Sequence, residues 1–305
     1  MKILVTGAAG YIGEAFIHNI LKNNRKATIV AMDIKEPNLE DYAQYKNLYR
    51  FIKTDLANET EMFATEVRNS NVVLHLAADV GVAAINDDPS GTFENSYKIN
   101  TNILETMLGL RRPVPIVFAS SSEVYGEGMD LKESDHISIP SPDNPRSGYA
   151  MNKAFMETML FRSKLPFKIV RFFNVTGPGH RAMVIPKFID LAKRGLAIPV
   201  YDNGSQVRSY CHVKEATDQL INVITKGEDR QIYNIGNSSN VSSVWQLAER
   251  IIAATGSQSV IEWVSFKNSL PNSHDIKMRT PDTSKVRSLG SSKDITLKDI
   301  IEEML

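Results

Sequence analysis

An α/β fold with a doubly wound, mostly parallel sheet is what this 305-residue chain predicts, on three observations. Strand-like and helix-like segments alternate through the first half. The strand-like segments are short, β-branched and apolar on both faces, as expected when helices cover both sides of a parallel sheet. A glycine-rich turn joins the first strand to the first helix. In order, the expected elements are strand Lys2–Val5, a helix from Tyr11 to about Lys22, and strands Thr28–Met32 and Leu48–Lys53. Helix Glu59–Val67, strand Val72–His75, helix Thr92–Leu110, strand Pro115–Ala119, helix Tyr149–Arg162 and strand Phe167–Phe172 complete the alternation.

Beyond about Asn174 the pattern loosens. Turn signals recur at Gly177-Pro178-Gly179 and Asp202-Asn203-Gly204, with helices near Val184–Lys193, Lys214–Ile224 and Val244–Ala254. Ser265–Thr280 is polar and contains proline, and reads as irregular. Thr296 is a good N-cap for a last helix over Leu297–Met304. The expected division is a domain over residues 1–174 and a smaller mixed α/β region over 175–305, interleaved with the first.

Bulk composition narrows the classes of function. Hydrophobic residues make up 42% and charged residues 23%, the values of an ordinary globular protein. Lysine plus arginine equal aspartate plus glutamate at 35 each, so no net field favours a nucleic acid or a membrane surface. The single cysteine, Cys211, cannot form an internal disulfide, and neither a signal peptide nor an apolar run of about eighteen residues is visible. These features read as a cytoplasmic protein. The six histidines show no ligand-type spacing, so no metal is expected, and His18 reads as a helix-face residue.

The chemistry begins at Val5-Thr6-Gly7-Ala8-Ala9-Gly10-Tyr11-Ile12-Gly13. Gly7 permits a tight turn, Gly10 lets a pyrophosphate approach the backbone, and Gly13 lets the helix pack on the sheet. The helix N-terminus then offers unpaired N–H groups and a favourable dipole to phosphates. Asp33 ends the second strand twenty residues after Gly13. A carboxylate there accepts hydrogen bonds from the adenosine ribose and repels a 2′-phosphate, so NAD is expected rather than NADP. Asp55, at the end of the third strand, reads equally as an adenine contact or a helix cap.

Tyr149 and Lys153 stand four residues apart in a helical stretch, hence on one face. An ammonium beside the phenol, with a positive nicotinamide ring, would lower the tyrosine pKa and make Tyr149 a usable general base. Alone, that spacing is a coincidence in most helices. Together with His75-Leu76-Ala77-Ala78, Asn100, Ser120-Ser121-Ser122-Glu123-Val124-Tyr125-Gly126 and Arg171-Phe172-Phe173-Asn174, it is not. In this order and over nearly the whole chain, these motifs resemble the extended short-chain dehydrogenases, in the nucleotide-sugar epimerase/dehydratase branch.

The resemblance implies a Rossmann-type domain that binds NAD, a nucleotide-diphosphate-sugar substrate, and oxidation of the sugar C4 hydroxyl to a 4-keto species. It implies that Ser121 hydrogen-bonds the C4 hydroxyl, that Tyr149 takes its proton, and that Lys153 orients the nicotinamide ribose. Tyr11, Ile12, Ile34, Asp55, Leu56, Leu76, Ala77, Ala78, Asn100, Ser120 and Phe172 would line the NAD site. Ser122, Asn174, Lys187, Tyr201, Arg208 and Arg279 would contact the substrate, the arginines as forks suited to a diphosphate and Tyr201 against the nucleobase. Read singly, each arginine is equally a surface salt bridge.

Glu123 divides the branch. Many 4-epimerases of this branch carry a small neutral residue there, whereas 4,6-dehydratases and decarboxylases carry glutamate. It is either the base that removes the C5 proton or a structural residue. The adjacent Ser122 matches GDP-mannose-type dehydratases and decarboxylases. The stretch Gly177–Met183 is short beside many relatives. Three alternatives remain open: net C4 oxidation with release of a keto sugar, an NADPH-dependent keto-sugar reductase (disfavoured by Asp33), and a non-catalytic NAD-binding scaffold or sensor. The helices around Thr92–Leu110 and Tyr149–Arg162 resemble those that form a four-helix bundle in the family's homodimers. Ile103, Met107, Phe155, Met159 and Leu160 suit that interface or the core.

Overall fold

A computed structural model describes residues 1–24, 26–78, 87–266 and 276–305. Strand β1 (Lys2–Thr6) leads through the glycine turn into helix α1 (Tyr11–Asn23) and strand β2 (Thr28–Asp33). A 3₁₀ segment, Leu39–Tyr45, precedes β3 (Tyr49–Lys53), which α2 (Glu61–Val67) links to β4 (Val72–His75). Helix α3 (Pro89–Leu108), β5 (Ile116–Ser121), α4 (Ser147–Arg162) and β6 (Phe167–Phe172) follow. Helix α5 (Val184–Lys193) lies in the C-terminal half, and α6 (Val213–Lys226) leads to β7 (Gln231–Ile235). Helices α7 (Val244–Thr255) and α8 (Leu297–Met304) complete the main elements.

The seven strands form one sheet, in the order β7-β6-β5-β4-β1-β2-β3, parallel at every junction. Its last strand comes from residues 231–235, far along the chain. The sheet is doubly wound because its central strands are apolar on both faces. Leu4, Val73, Phe118 and Ile169 pack against Phe63 of α2, Ile103 and Met107 of α3 and Leu160 of α4. Ile3, Val5, Leu74, Val117 and Val170 face Phe16 and Ile20 of α1 and Leu220 of α6 on the other side.

A third cluster joins α5, α7 and α8 around Ile198, Val200 and Tyr210. Small strands accompany it. A four-stranded sheet runs in the order 241–243, 207–209, 278–281, 128–131, and two parallel pairs join 175–176 to 211–212 and 198–201 to 261–264. The segment expected to be irregular thus contains the strand Met278–Pro281; its residues 267–275 lie outside those described.

Expected and observed elements agree closely from β1 to β6. Helix α3 starts three residues earlier than expected because Asp88 caps it, accepting from Gly91 N–H, and Pro89 supplies a preset φ. Thr296 caps α8 as expected, within a reciprocal capping box with Asp299. Glu215, fully buried in the first turn of α6, anchors the C-terminal segment. Asn237 Nδ2 donates to both Glu215 Oε2 and Asp294 Oδ1 at 2.9 Å, and Arg287 lies 3.6 Å from Glu215 Oε1. Among the described residues, no helix is long and apolar enough to cross a membrane.

Candidate active site

The C-terminal ends of β1, β2 and β4–β6 build one crevice, with the glycine turn at its middle. Gly7 has φ +69, and a Cβ there would fall 2.6 Å from Ala77 N, so the turn lies against the end of β4 with no room for a side chain. A Cβ on Gly13 would meet Gly7 O at 2.3 Å, which lets α1 press onto the turn. Gly10 is the N-cap of α1 and brings no side chain to the first-turn N–H groups. Asp33 accepts from Ala9 N–H at 3.0 Å and Lys35 N–H at 2.9 Å, locking the turn to the end of β2. A carboxylate has further lone pairs for ribose hydroxyls, and Ile34 beside it is 55% exposed. This cradle fits a dinucleotide.

Beneath the turn runs a buried polar chain. His75 Nδ1 meets Thr6 Oγ1 at 2.8 Å, and Nε2 meets Asn100 Oδ1 at 3.0 Å. Burial pulls His75 down to about 3, so the imidazole is neutral. One tautomer satisfies the network: Nε2–H donates to Asn100 and Nδ1 accepts from the Thr6 hydroxyl. Thr6 Oγ1 in turn accepts from Ala77 N–H at 3.4 Å, which ties β1 to β4 behind the turn.

Helix α4 presents Tyr149, Lys153 and Glu157 at successive four-residue steps toward the end of β5. Lys153 is 4% exposed; its Nζ donates to Ala119 O at 2.8 Å and lies 5.6 Å from the centre of the Tyr149 ring. Burial pulls the ammonium down to about 8 although Glu157 supports its charge. The Tyr149 phenol is pushed up to about 12 by burial and by Glu123, against the influence of nearby Ser121, Arg146 and Arg279. The amine sits over the ring, while burial and the Glu123 charge favour the neutral phenol.

Glu123 follows Ser121 in a 3₁₀ turn, where its N–H donates to Ser121 Oγ at 3.2 Å. Its carboxylate is paired with Arg146, one turn before Tyr149, and lies 3.6 Å from Arg279 Nη2. Arg279 is 3% exposed, and its Nε and Nη1 have no hydrogen-bond partner among the described residues. Burial pulls it down to about 10, still charged at neutral pH. Arg208 is its register neighbour on the adjacent strand. A buried guanidinium with two unmatched donor nitrogens is built for an anion.

The amino-acid pattern matches the model of the NAD dependent epimerase/dehydratase family over residues 3–236. The chain belongs to this family, and NAD is its cofactor. It is an extended short-chain dehydrogenase of the nucleotide-sugar epimerase/dehydratase branch. It is 31% identical to UDP-N-acetyl-alpha-D-glucosaminuronate decarboxylase of Bacillus cytotoxicus, a match that covers 94% of this chain and 91% of the relative. It is also 31% identical to human dTDP-D-glucose 4,6-dehydratase, with 100% of this chain and 89% of that one covered. Among solved structures, Pal from Bacillus thuringiensis is 27% identical, with a TM-score of 0.83 over 99% of this chain and 96% of that one. The NAD complex of dTDP-glucose 4,6-dehydratase from Bacillus anthracis shares the fold with a TM-score of 0.83 at 23% identity, covering 100% of this chain and 95% of that one.

Within this epimerase/dehydratase-family enzyme, several expected contacts have other partners. Ser120 donates to Glu157 at 2.5 Å. Asp55 closes its own turn, accepting from Ala57 N–H at 3.0 Å and Asn58 Nδ2 at 2.7 Å, and Leu56 packs in the core. Asn100 is 2% exposed and holds His75. Leu76 and Phe172 pack against the core on the α1 side, while Ala77 and Ala78 lie half-buried at the end of β4. Asn174, at φ +33, donates to Ser209 O at 2.8 Å and so fastens the substrate-side strand. Ser122 is buried, Lys187 is exposed on α5, and Tyr201 meets Phe266 edge-on at 5.5 Å. Tyr11 stacks on His180 at 4.4 Å, joining the glycine turn to the short Gly177–Met183 stretch.

Two charged residues escaped the sequence reading, Arg146 and Glu157, as did the paired role of Arg171. The available signal was spacing, since Arg146 and Glu157 stand three residues before Tyr149 and four after Lys153. Ile103, Met107 and Leu160 belong to the core. The exposed apolar stripe of α3 and α4 comprises Phe93, Tyr97, Met151 and Met159 instead, with Phe155 tilted against Tyr97 at 5.3 Å.

Proposed function

We propose that Ser121, Tyr149 and Lys153 carry out C4 oxidation of a nucleotide-diphosphate sugar. The reading rests chiefly on the convergence of Ser121 and the Tyr149 phenol, with the Lys153 amine above the ring. Gly7, Gly10, Gly13, Asp33 and Ile34 hold NAD, which supplies the hydride acceptor for C4. Ser121 orients the C4 hydroxyl, and Tyr149 takes its proton. A phenol at about 12 is rarely ionised at neutral pH, so the site needs added positive charge to work as a base. The Lys153 ammonium holds the ribose side and supports the developing phenolate. Arg208 and Arg279 bind the diphosphate, with Lys187 and Tyr201 further along the nucleotide.

For the fate of the 4-keto sugar, a second reading has a specific observation behind it. Glu123 is engaged by Arg146 and Arg279, so its carboxylate is occupied rather than free to reach the C5 proton. The Arg146 guanidinium, beside Glu123 and one turn before Tyr149, suits a sugar that bears a C6 carboxylate. Oxidation at C4 makes such a sugar a β-keto acid: the C5–C6 bond breaks, its electron pair forms the C4 enolate, and CO₂ leaves. Relatives named as UDP-glucuronic acid decarboxylases in Arabidopsis thaliana, 30% and 29% identical, agree with this reading. Dehydration through Glu123 and epimerisation at C4 are the competing outcomes.

Incubation with UDP-, GDP-, CDP- and dTDP-linked hexoses and uronic acids in heavy water, followed by proton NMR, separates them. Deuterium at C5 with a new methyl group means dehydration. A pentose or 4-keto-pentose product with CO₂ release means decarboxylation, and an inverted C4 without solvent label means epimerisation. No conversion of any sugar nucleotide would refute the proposal. We further propose that the apolar stripe of α3 and α4 pairs with a second copy of the chain as a four-helix bundle, which sedimentation would test.

A further inference from the structure

Behind the Tyr149–Lys153 face of α4 lies an ion pair that the reaction above does not use. Glu157 and Arg171 are each 2% exposed; Arg171 Nε and Nη2 donate to the two Glu157 oxygens at 3.0 and 2.6 Å. Glu157 Oε1 also accepts from Ser120 at 2.5 Å. Ser120 is the penultimate residue of β5, next to Ser121, and Arg171 is its register partner on β6, three residues before Asn174. One carboxylate on the helix therefore holds two neighbouring strand ends. The chain of contacts continues outward. Arg171 lies 4.5 Å over the Tyr125 ring, Tyr125 donates to Asn234 Oδ1 at 2.8 Å, and Asn234 Nδ2 donates to Leu131 O and Asp282 O. Asp282 follows the strand that carries Arg279.

We propose that Glu157 is a positioning residue for C4 oxidation: it places a carboxylate one helical turn from Lys153 and fastens the strand ends that carry Ser121 and Asn174, an inference that rests on the catalytic reading of Lys153. A buried ion pair adds little net stability, because desolvation offsets its attraction. Its placement one helical turn from Lys153 gives it a second consequence. The groups that face Lys153 are Tyr149 on its own helix, the Ala119 carbonyl from β5, neutral His75 from β4, and Glu157 with Arg171 behind it. Of these, Glu157 is the one that supports the ammonium against burial.

The test is a pH titration of the Lys153 side chain in the NAD-bound protein. Lysine is labelled with carbon-13 at Cε, and the Lys153 signal is assigned by its disappearance in Lys153→Arg. Glu157→Gln removes the charge and keeps a hydrogen-bonding group of similar shape. The double variant Glu157→Gln/Arg171→Met guards against misfolding caused by a stranded arginine. We expect the Lys153 midpoint to fall by about one pH unit or more in both variants. The alkaline limb of sugar oxidation should move down by the same amount. An unmoved midpoint in a double variant that melts at the wild-type temperature would overturn the proposal. A shifted midpoint in an enzyme that oxidises no nucleotide sugar would instead overturn the catalytic reading of Lys153.

Discussion

Replacing Glu215 with glutamine should stabilise the protein selectively at neutral and alkaline pH. Glu215 is fully buried, and burial pushes its carboxyl up from the ordinary 4.5 to about 7, despite the Asn237 hydrogen bond and the Arg287 guanidinium. Asp294, which shares Asn237, adds to the rise. Below pH 4.5 the group is protonated whether the chain is folded or unfolded, and it contributes no pH dependence. Between the two values the unfolded chain releases the proton and the folded chain holds it, so stability falls as pH rises. Above about 7 both states are ionised and the loss is complete. At about 1.4 kcal/mol per unit, the window amounts to roughly 3 kcal/mol at most. Glutamine cannot ionise, but it turns an amide group toward a donor, a cost that does not vary with pH. Urea unfolding of both proteins at several pH values isolates the effect, because the titrating groups not coupled to Glu215 cancel in the difference. The stability of Glu215→Gln relative to wild type should climb by about 2–3 kcal/mol from pH 4.5 to 7.5 and then level off. A difference that stays flat across this range would refute the reasoning.

Further expectations follow from the crevice. Tyr149→Phe should retain NAD binding and lose nearly all turnover, measured by calorimetry and by product NMR; wild-type turnover would remove Tyr149 from the chemistry. Gly13→Val should weaken NAD binding by about tenfold or more, because its side chain collides with Gly7 O in the turn that holds the pyrophosphate. Arg146→Ala frees Glu123 from one partner. If the substrate is a uronic acid, KM should rise about tenfold or more while neutral sugars are bound as before; an equal loss for both would assign Arg146 a structural role.

What the sequence revealed follows how local each feature is. The glycine turn, Asp33 and the Tyr149–Lys153 pair were legible because each lies within one strand–turn–helix unit or one helical turn. Thr296 as a cap was legible for the same reason. Glu157 was not, since its meaning depends on the parallel register that sets Ser120 opposite Arg171. The core packing of Leu56 was not legible, because it depends on the path of the chain out of β3. The strand Met278–Pro281 was hidden because its neighbours Arg208 and Gly128 define it through hydrogen bonding rather than apolar alternation. The two-residue strands at 175–176 and 211–212 are too short to leave any periodicity.

The central claim, that the enzyme removes hydrogen from C4 of a nucleotide sugar through Tyr149, is tested most directly with substrates deuterated at C4. Single-turnover mixing with the NAD-bound enzyme, followed by mass analysis of the nicotinamide, should show deuterium arriving on the cofactor with wild type and none with Tyr149→Phe. Unlabelled cofactor alongside converted sugar, or equal labelling in both proteins, would contradict the account.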